Sequence, residues 1–183
     1  WTGVQGNGLI EDRVVYDTSE TNLGMVQRVG HYIRKAGHKT IYTRTSDNAC
    51  SNINALDLYE RVKRSATADL FVSFHCNGVP ATATGYEVFY HAGDIDSADL
   101  AWAIEKSLFK TIGGKLRSRA AKADTAAAVG SIYVLRKQAG IRPAVLVECG
   151  FLANPYDAGL LKDKHFRDEF AGAVAEAVLT FKR

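Results

Sequence analysis

Segments with a helical repeat alternate with short apolar strands along this chain, and that alternation most restricts its fold. Over residues 10–35, Glu11, Val15, Thr18, Asn22, Met25, Val29 and Ile33 recur at steps of three or four and share one helical face. Gly37 ends this segment as a C-terminal cap. A strand is expected over 39–44, a helix over 54–68 and strands over 69–75 and 84–91. A helix over 97–113 follows, then a small-residue loop or short helix from 120 to 130. Strands over 131–137 and 142–150, a helix starting near Pro155 and an amphipathic helix over 165–181 complete the chain. This order predicts an α/β fold, a single domain over residues 1–183, with helices layered on a mostly parallel sheet. In such sheets, sites lie beyond the carboxyl ends of the strands.

With 46% apolar and 23% charged residues, the 183-residue chain has material for a sizeable core. The formal charge of +3 comes with no Lys/Arg cluster, so no nucleic-acid partner is expected. No run is long enough for a membrane-spanning helix. Residues 1–12 lack the positive region and apolar core of a signal peptide, and the chain does not begin with Met; a processed chain, or a piece of something longer, is expected. Cys50, Cys76 and Cys149 are an odd number without a short-spaced pair, which gives neither a disulfide framework nor a cysteine zinc site.

Two residues stand where chemistry is expected. His75 ends the apolar run "DLFVSFH", and neutral imidazole is a common metal ligand. Glu148 ends "PAVLVE", where a carboxylate is costly to bury unless something pairs with it. It is either half of a buried salt bridge, with Arg142 as the candidate partner, or a general base whose pKa burial lifts toward neutrality. Glu11 is the third candidate, on the inward face of the long helix near its start. Glu20 lies nine residues on, about half a turn out of phase at roughly 3.6 residues per turn. His31, His38, His91 and His165 are weaker candidates, although His91 ends a strand and is placed to line a groove.

The segments "GHKTIYTRTSDN", "ALDLYERVKRSATADLFVSFHCNG", "GYEVFY", "YVLRK" and "RPAVLVECGFLANPYDAGLL" occur in that order. Together they resemble the zinc-dependent N-acetylmuramoyl-L-alanine amidases, a family of cell-wall amidases (autolysins) and phage endolysin catalytic domains. "SFHCN" and "VECGFLAN" are the most specific parts, and "GNGLIE" is a weaker third. The resemblance implies a mixed sheet of about six strands flanked by helices on both faces. It implies one catalytic Zn2+ held by two histidines and a glutamate, with a second glutamate acting on water. On that resemblance His75 is the second histidine ligand, Glu11 the glutamate ligand with Glu20 as its alternative, and Glu148 the catalytic glutamate. The family's first histidine and first strand would fall before Trp1 and are not in the chain.

The implied reaction is hydrolysis of the amide between N-acetylmuramic acid and L-alanine in peptidoglycan, at the bacterial cell wall. The expected partner is peptidoglycan, and the expected state a monomer, with a cell-wall-binding domain attached in a longer parent as one arrangement. Two rivals are a non-catalytic peptidoglycan-binding or regulatory domain of the same fold and a related zinc carboxypeptidase. The tyrosine-containing strand "GYEVFYHAG" and residues 114–130 are candidate groove walls, or simply packing and a loop.

Overall fold

The structure, a computed structural model, describes residues 22–43 and 54–182. Among them run α1 (Gly24–Lys35), α2 (Asn54–Arg64), β1 (Phe71–Asn77), β2 (Tyr86–Tyr90), α3 (Ile95–Ile112), β3 (Ser118–Ala123), α4 (Tyr133–Arg136), β4 (Ala144–Phe151), α5 (Pro155–Lys162) and α6 (Lys164–Thr180). The strands form one mixed sheet in the order β1-β4-β2-β3. β4 is parallel to β1 and antiparallel to β2, and β2 is parallel to β3. Among the described residues the sheet therefore has four strands, not about six.

The sheet is covered on both faces. Val145, Val147 and Cys149 of β4 pack with Met25, Val29 and Ile33 of α1, Leu100, Ile104 and Leu108 of α3, and Phe166, Phe170 and Val174 of α6. The face with period near 3.6 read from the sequence is thus the buried face of α1. On the opposite side Ala144 and Leu146 meet Phe71, Phe89, Ile132 and Leu135, with Leu58 and Val62 of α2 packed against them. β4 is buried over its whole length, which is why it reads as a continuous apolar run.

Two strand expectations and one loop expectation need correction. Lys39–Thr43 is not strand; Arg34 donates to Thr40 Oγ1 (2.9 Å) and to Tyr42 Oη, holding this stretch against α1. The segment 131–137 is mostly one helical turn, α4. Ile132 and Leu135 lie three apart, so a single turn buries both on the same core cluster, and a run this short does not distinguish strand from helix. Conversely, Ser118–Ala123 is a strand inside the stretch read as loop. Its small and charged residues have little intrinsic β preference, and pairing with β2 makes it a strand.

Capping follows the local sequence elsewhere. Asn154 accepts from the backbone N–H groups of Tyr156 (2.9 Å) and Asp157 (3.3 Å), with Pro155 opening α5. Gly37, at φ 89°, closes α1 as expected. Asp157 in turn accepts from Thr84 Oγ1 (2.5 Å), Gly85 N (2.9 Å) and Phe151 N (2.9 Å), fastening the start of β2 to the end of β4.

Candidate active site

The pairing of β1 with β4 puts His75 directly opposite Glu148, and the pairing of β2 with β4 puts Glu87 opposite Glu148 on its other side. One row across three strands therefore reads His75, Glu148, Glu87. Side chains directly opposite in a sheet share a face and lie about 5 Å apart at Cβ. Ser73 and Asn77, two residues either side of His75, belong to the same face; Ser73 Oγ is 3.1 Å from His75 Nε2. The row lies near the C-terminal ends of the parallel strands β1 and β4, where open α/β sheets hold their sites.

Glu148 is 1% exposed, and its Oε2 has no hydrogen-bond partner among the described residues. It does not pair with Arg142. That guanidinium donates instead to the carbonyls of Ser65, Ala66 (3.0 Å) and Ala68 (2.7 Å) beyond the end of α2. The pairing with Arg142 is thereby removed. Burial, with the negative charge of Glu87 adding to it, pushes the Glu148 carboxyl up to about 8.

Glu87, which the sequence analysis did not single out, behaves in the opposite way. Burial alone would raise its pKa, but hydrogen bonds from Lys122, Asn77 and Arg119, with the Lys122 charge, outweigh burial and hold it below the ordinary value. Its Oε1 accepts from Asn77 Nδ2 (2.9 Å), and its Oε2 accepts from Lys122 Nζ (2.8 Å) and Arg119 Nε (3.1 Å). Two neighbouring glutamates are therefore driven apart: Glu87 stays ionised, while Glu148 keeps its proton to near pH 8. The sequence signal for Glu87 was a charge inside the apolar strand "GYEVFY".

Arg119 and Lys122 reach Glu87 because β3 bulges. Tyr86 pairs with Ser118, but Val88 pairs with Ala121, so one extra residue is inserted. Ala120 takes up the insertion at φ 71°, in the left-handed region. On a regular strand residues 119 and 122 would face opposite sides; the bulge turns both onto the face of Glu87.

The other histidines lie elsewhere. His91 Nδ1 is 2.9 Å from Asp124 Oδ2, and the same carboxylate accepts from Ala92 N (3.2 Å) and Ile132 N (2.9 Å). That arrangement ties the end of β2 to the segment before α4. His31, His38 and His165 are exposed. Glu11 and Glu20 lie outside the described residues, and among the described residues no three His, Cys, Asp or Glu side chains cluster as a metal site. Cys76 and Cys149 lie on the sheet face opposite His75 and Glu148, and Cys76 Sγ donates to Asn22 Oδ1 (3.1 Å).

A carboxylate buried beside an imidazole is a common arrangement, so the class of this site depends on kinship. Residues 3–180 match the family described as N-acetylmuramoyl-L-alanine amidase. The chain belongs to this amidase family. It is 31% identical over 185 residues to the N-acetylmuramoyl-L-alanine amidase LytC of Bacillus subtilis (strain 168), a match that covers all of this chain and 33% of LytC. The chain thus spans about a third of that relative's length. It is 27% identical over 190 residues to the germination-specific N-acetylmuramoyl-L-alanine amidase of the same organism, covering 98% of this chain and 73% of that one. Among solved structures, the catalytic domain of the amidase CwlV from Bacillus (Paenibacillus) polymyxa var. colistinus superposes with a TM-score of 0.71 at 26% identity. That match covers 85% of this chain and 79% of CwlV. An N-acetylmuramoyl-L-alanine amidase from Clostridium difficile 630 superposes with a TM-score of 0.70 at 27% identity, over 85% and 78% of the two chains.

Proposed function

We propose that this amidase domain, taken as residues 1–183, hydrolyses the amide between the lactyl group of N-acetylmuramic acid and the L-alanine of the peptidoglycan stem, acting at the cell wall. The observation that carries the reading is the Glu148 carboxyl, its Oε2 without a partner among the described residues, buried at a strand end opposite His75 in a chain of this family. Such a carboxyl is expensive unless a cation or a reacting group completes its surroundings. No helix among the described residues is long and apolar enough to cross a membrane.

The donor set suits zinc. His75 supplies an imidazole on the face where the unpartnered Glu148 oxygen lies, a nitrogen-and-oxygen environment of the kind that holds zinc. His75 would be one ligand and Glu11 another, with Glu20 as the alternative to Glu11. Zinc, when bound, supplies Lewis acidity that makes water nucleophilic near neutral pH and polarises a carbonyl. A bound cation would favour the ionised form of Glu148, and in that form Glu148 takes a proton from the attacking water on Oε2 as the water oxygen bonds to the carbonyl carbon. It then returns that proton to the alanine nitrogen as the carbon–nitrogen bond breaks. Leu146, two residues before Glu148 on the same face, and its partner Phe89 make the neighbouring surface apolar.

The test is loss of turbidity of purified peptidoglycan, together with metal analysis, for the parent, Glu148→Ala and His75→Ala. Glu148→Ala is expected to abolish hydrolysis and keep zinc; His75→Ala is expected to lose zinc. Retained zinc in the His75 variant removes His75 from the ligand set. A parent protein that binds peptidoglycan but releases no amine, with or without added zinc, is a binding domain, and one that trims only the C-terminus of free stem peptide is a carboxypeptidase.

A further inference from the structure

β3 carries two cations on the face of the candidate site, and the protein engages only part of them. Arg119 donates Nε to Glu87, and no acceptor among the described residues takes its terminal nitrogens. Its guanidinium lies 5.1 Å over the Phe151 ring, a contact that, with the bond to Glu87, restrains the side chain. Lys122 donates to the same Glu87 oxygen and lies 5.6 Å from the Phe89 ring centre. The Arg119 and Lys122 side chains keep 33% and 27% of their surface exposed, whereas Glu87 is buried. Two positive charges facing one carboxylate leave a net charge of about +1 on these three side chains.

The backbone is bent to produce this arrangement. Ala120 sits in a left-handed conformation that alanine adopts at a cost, and without that bulge Arg119 and Lys122 would face opposite sides of the sheet. Glu87 acts as the buried anchor, and its third partner Asn77 reaches it from β1 across β4.

We propose that Arg119 and Lys122 form a carboxylate-recognition subsite that reads an acidic group on the peptide side of the scissile amide. This rests on the amidase reading above, and it adds which part of the substrate is selected. An open guanidinium edge on a restrained side chain matches a carboxylate in bidentate fashion, and the neighbouring ammonium adds charge. Glu87 is directly opposite Glu148, and adjacent strands are about 4.8 Å apart. Arg119 and Lys122 stand on β3, two strands or about 10 Å from Glu148, with side chains leaning back toward Glu87; at about 3.3 Å per residue of extended peptide, the recognised carboxylate lies about two residues beyond the cleaved bond.

The experiment uses two synthetic muramoyl peptides that differ only in the second stem residue, a free α-carboxylate in one and its carboxamide in the other. The parent protein is expected to favour the acid in kcat/KM by about tenfold to a hundredfold, the range of hydrogen bonds to charged groups, with the difference in KM. Arg119→Gln and Lys122→Gln are each expected to reduce that preference toward unity, and Arg119→Lys to restore part of it. Thermal melts identify any variant that fails to fold. Binding of both peptides to Glu148→Gln, measured by calorimetry, reads the subsite without turnover. Equal handling of acid and amide by the parent overturns the subsite and leaves the amidase reading intact. Unchanged preference in folded Arg119→Gln and Lys122→Gln overturns it as well. Acid-selective binding that depends on Arg119, without hydrolysis of either peptide, upholds the subsite and overturns the amidase reading.

Discussion

Glu148 should make the metal-free protein lose stability as pH rises. In the unfolded chain this group ionises near 4.5; in the fold it keeps its proton until about pH 8, because burial and then the Glu87 charge oppose ionisation. Between those values the folded state binds more protons than the unfolded one, so unfolding becomes easier with increasing pH. At about 1.36 kcal/mol per pH unit, the change from 4.5 to about 8 amounts to roughly 5 kcal/mol, of which about 3–4 kcal/mol falls between pH 5 and pH 8. Glu148→Gln keeps the shape and removes the ionisation. The assay is urea unfolding of metal-free parent and Glu148→Gln at pH 5 and pH 8. With a slope near 2 kcal/mol/M, the parent midpoint should fall by about 1.5–2 M more than that of the variant. Parallel pH dependence in the two proteins, within about 1 kcal/mol, would refute the claim that Glu148 is buried without a compensating partner.

Two further expectations concern the frame around the site. Ala120→Gly relieves a left-handed alanine at φ 71° and should stabilise the fold by about 1 kcal/mol, read as a higher urea midpoint; a loss of stability would contradict the strained bulge. Asp157→Ala leaves the buried N–H groups of Gly85 and Phe151 without their acceptor. It should cost about 3 kcal/mol or more, and a cost under about 1 kcal/mol would show that Asp157 does not fasten β2 to β4.

His75 and Glu148 were legible as candidates because each closes an apolar strand, and period-two alternation put Cys76 and Cys149 on the other face. Their alignment in one row was not legible, since register is a property of two distant segments. Glu87 was overlooked for a related reason. A single charge in a strand reads as solvent-facing until its three partners, from β1 and β3, are placed around it. Residues 118–123 and 131–137 were misread because short segments take their state from what they pack against.

The sequence by itself determined the α/β class, the buried faces of α1 and β4, the cap at Gly37, the helix start near Pro155, and the two strand-end residues. All of these follow from interactions within a few residues, which periodicity and capping chemistry encode directly. Only the tertiary structure decided that Arg142 serves the end of α2 rather than Glu148, and that a bulge at Ala120 brings two cations to Glu87. Those outcomes depend on strand pairing between segments far apart in the chain. There a shift of one residue exchanges the two faces of a sheet, and no local pattern records it.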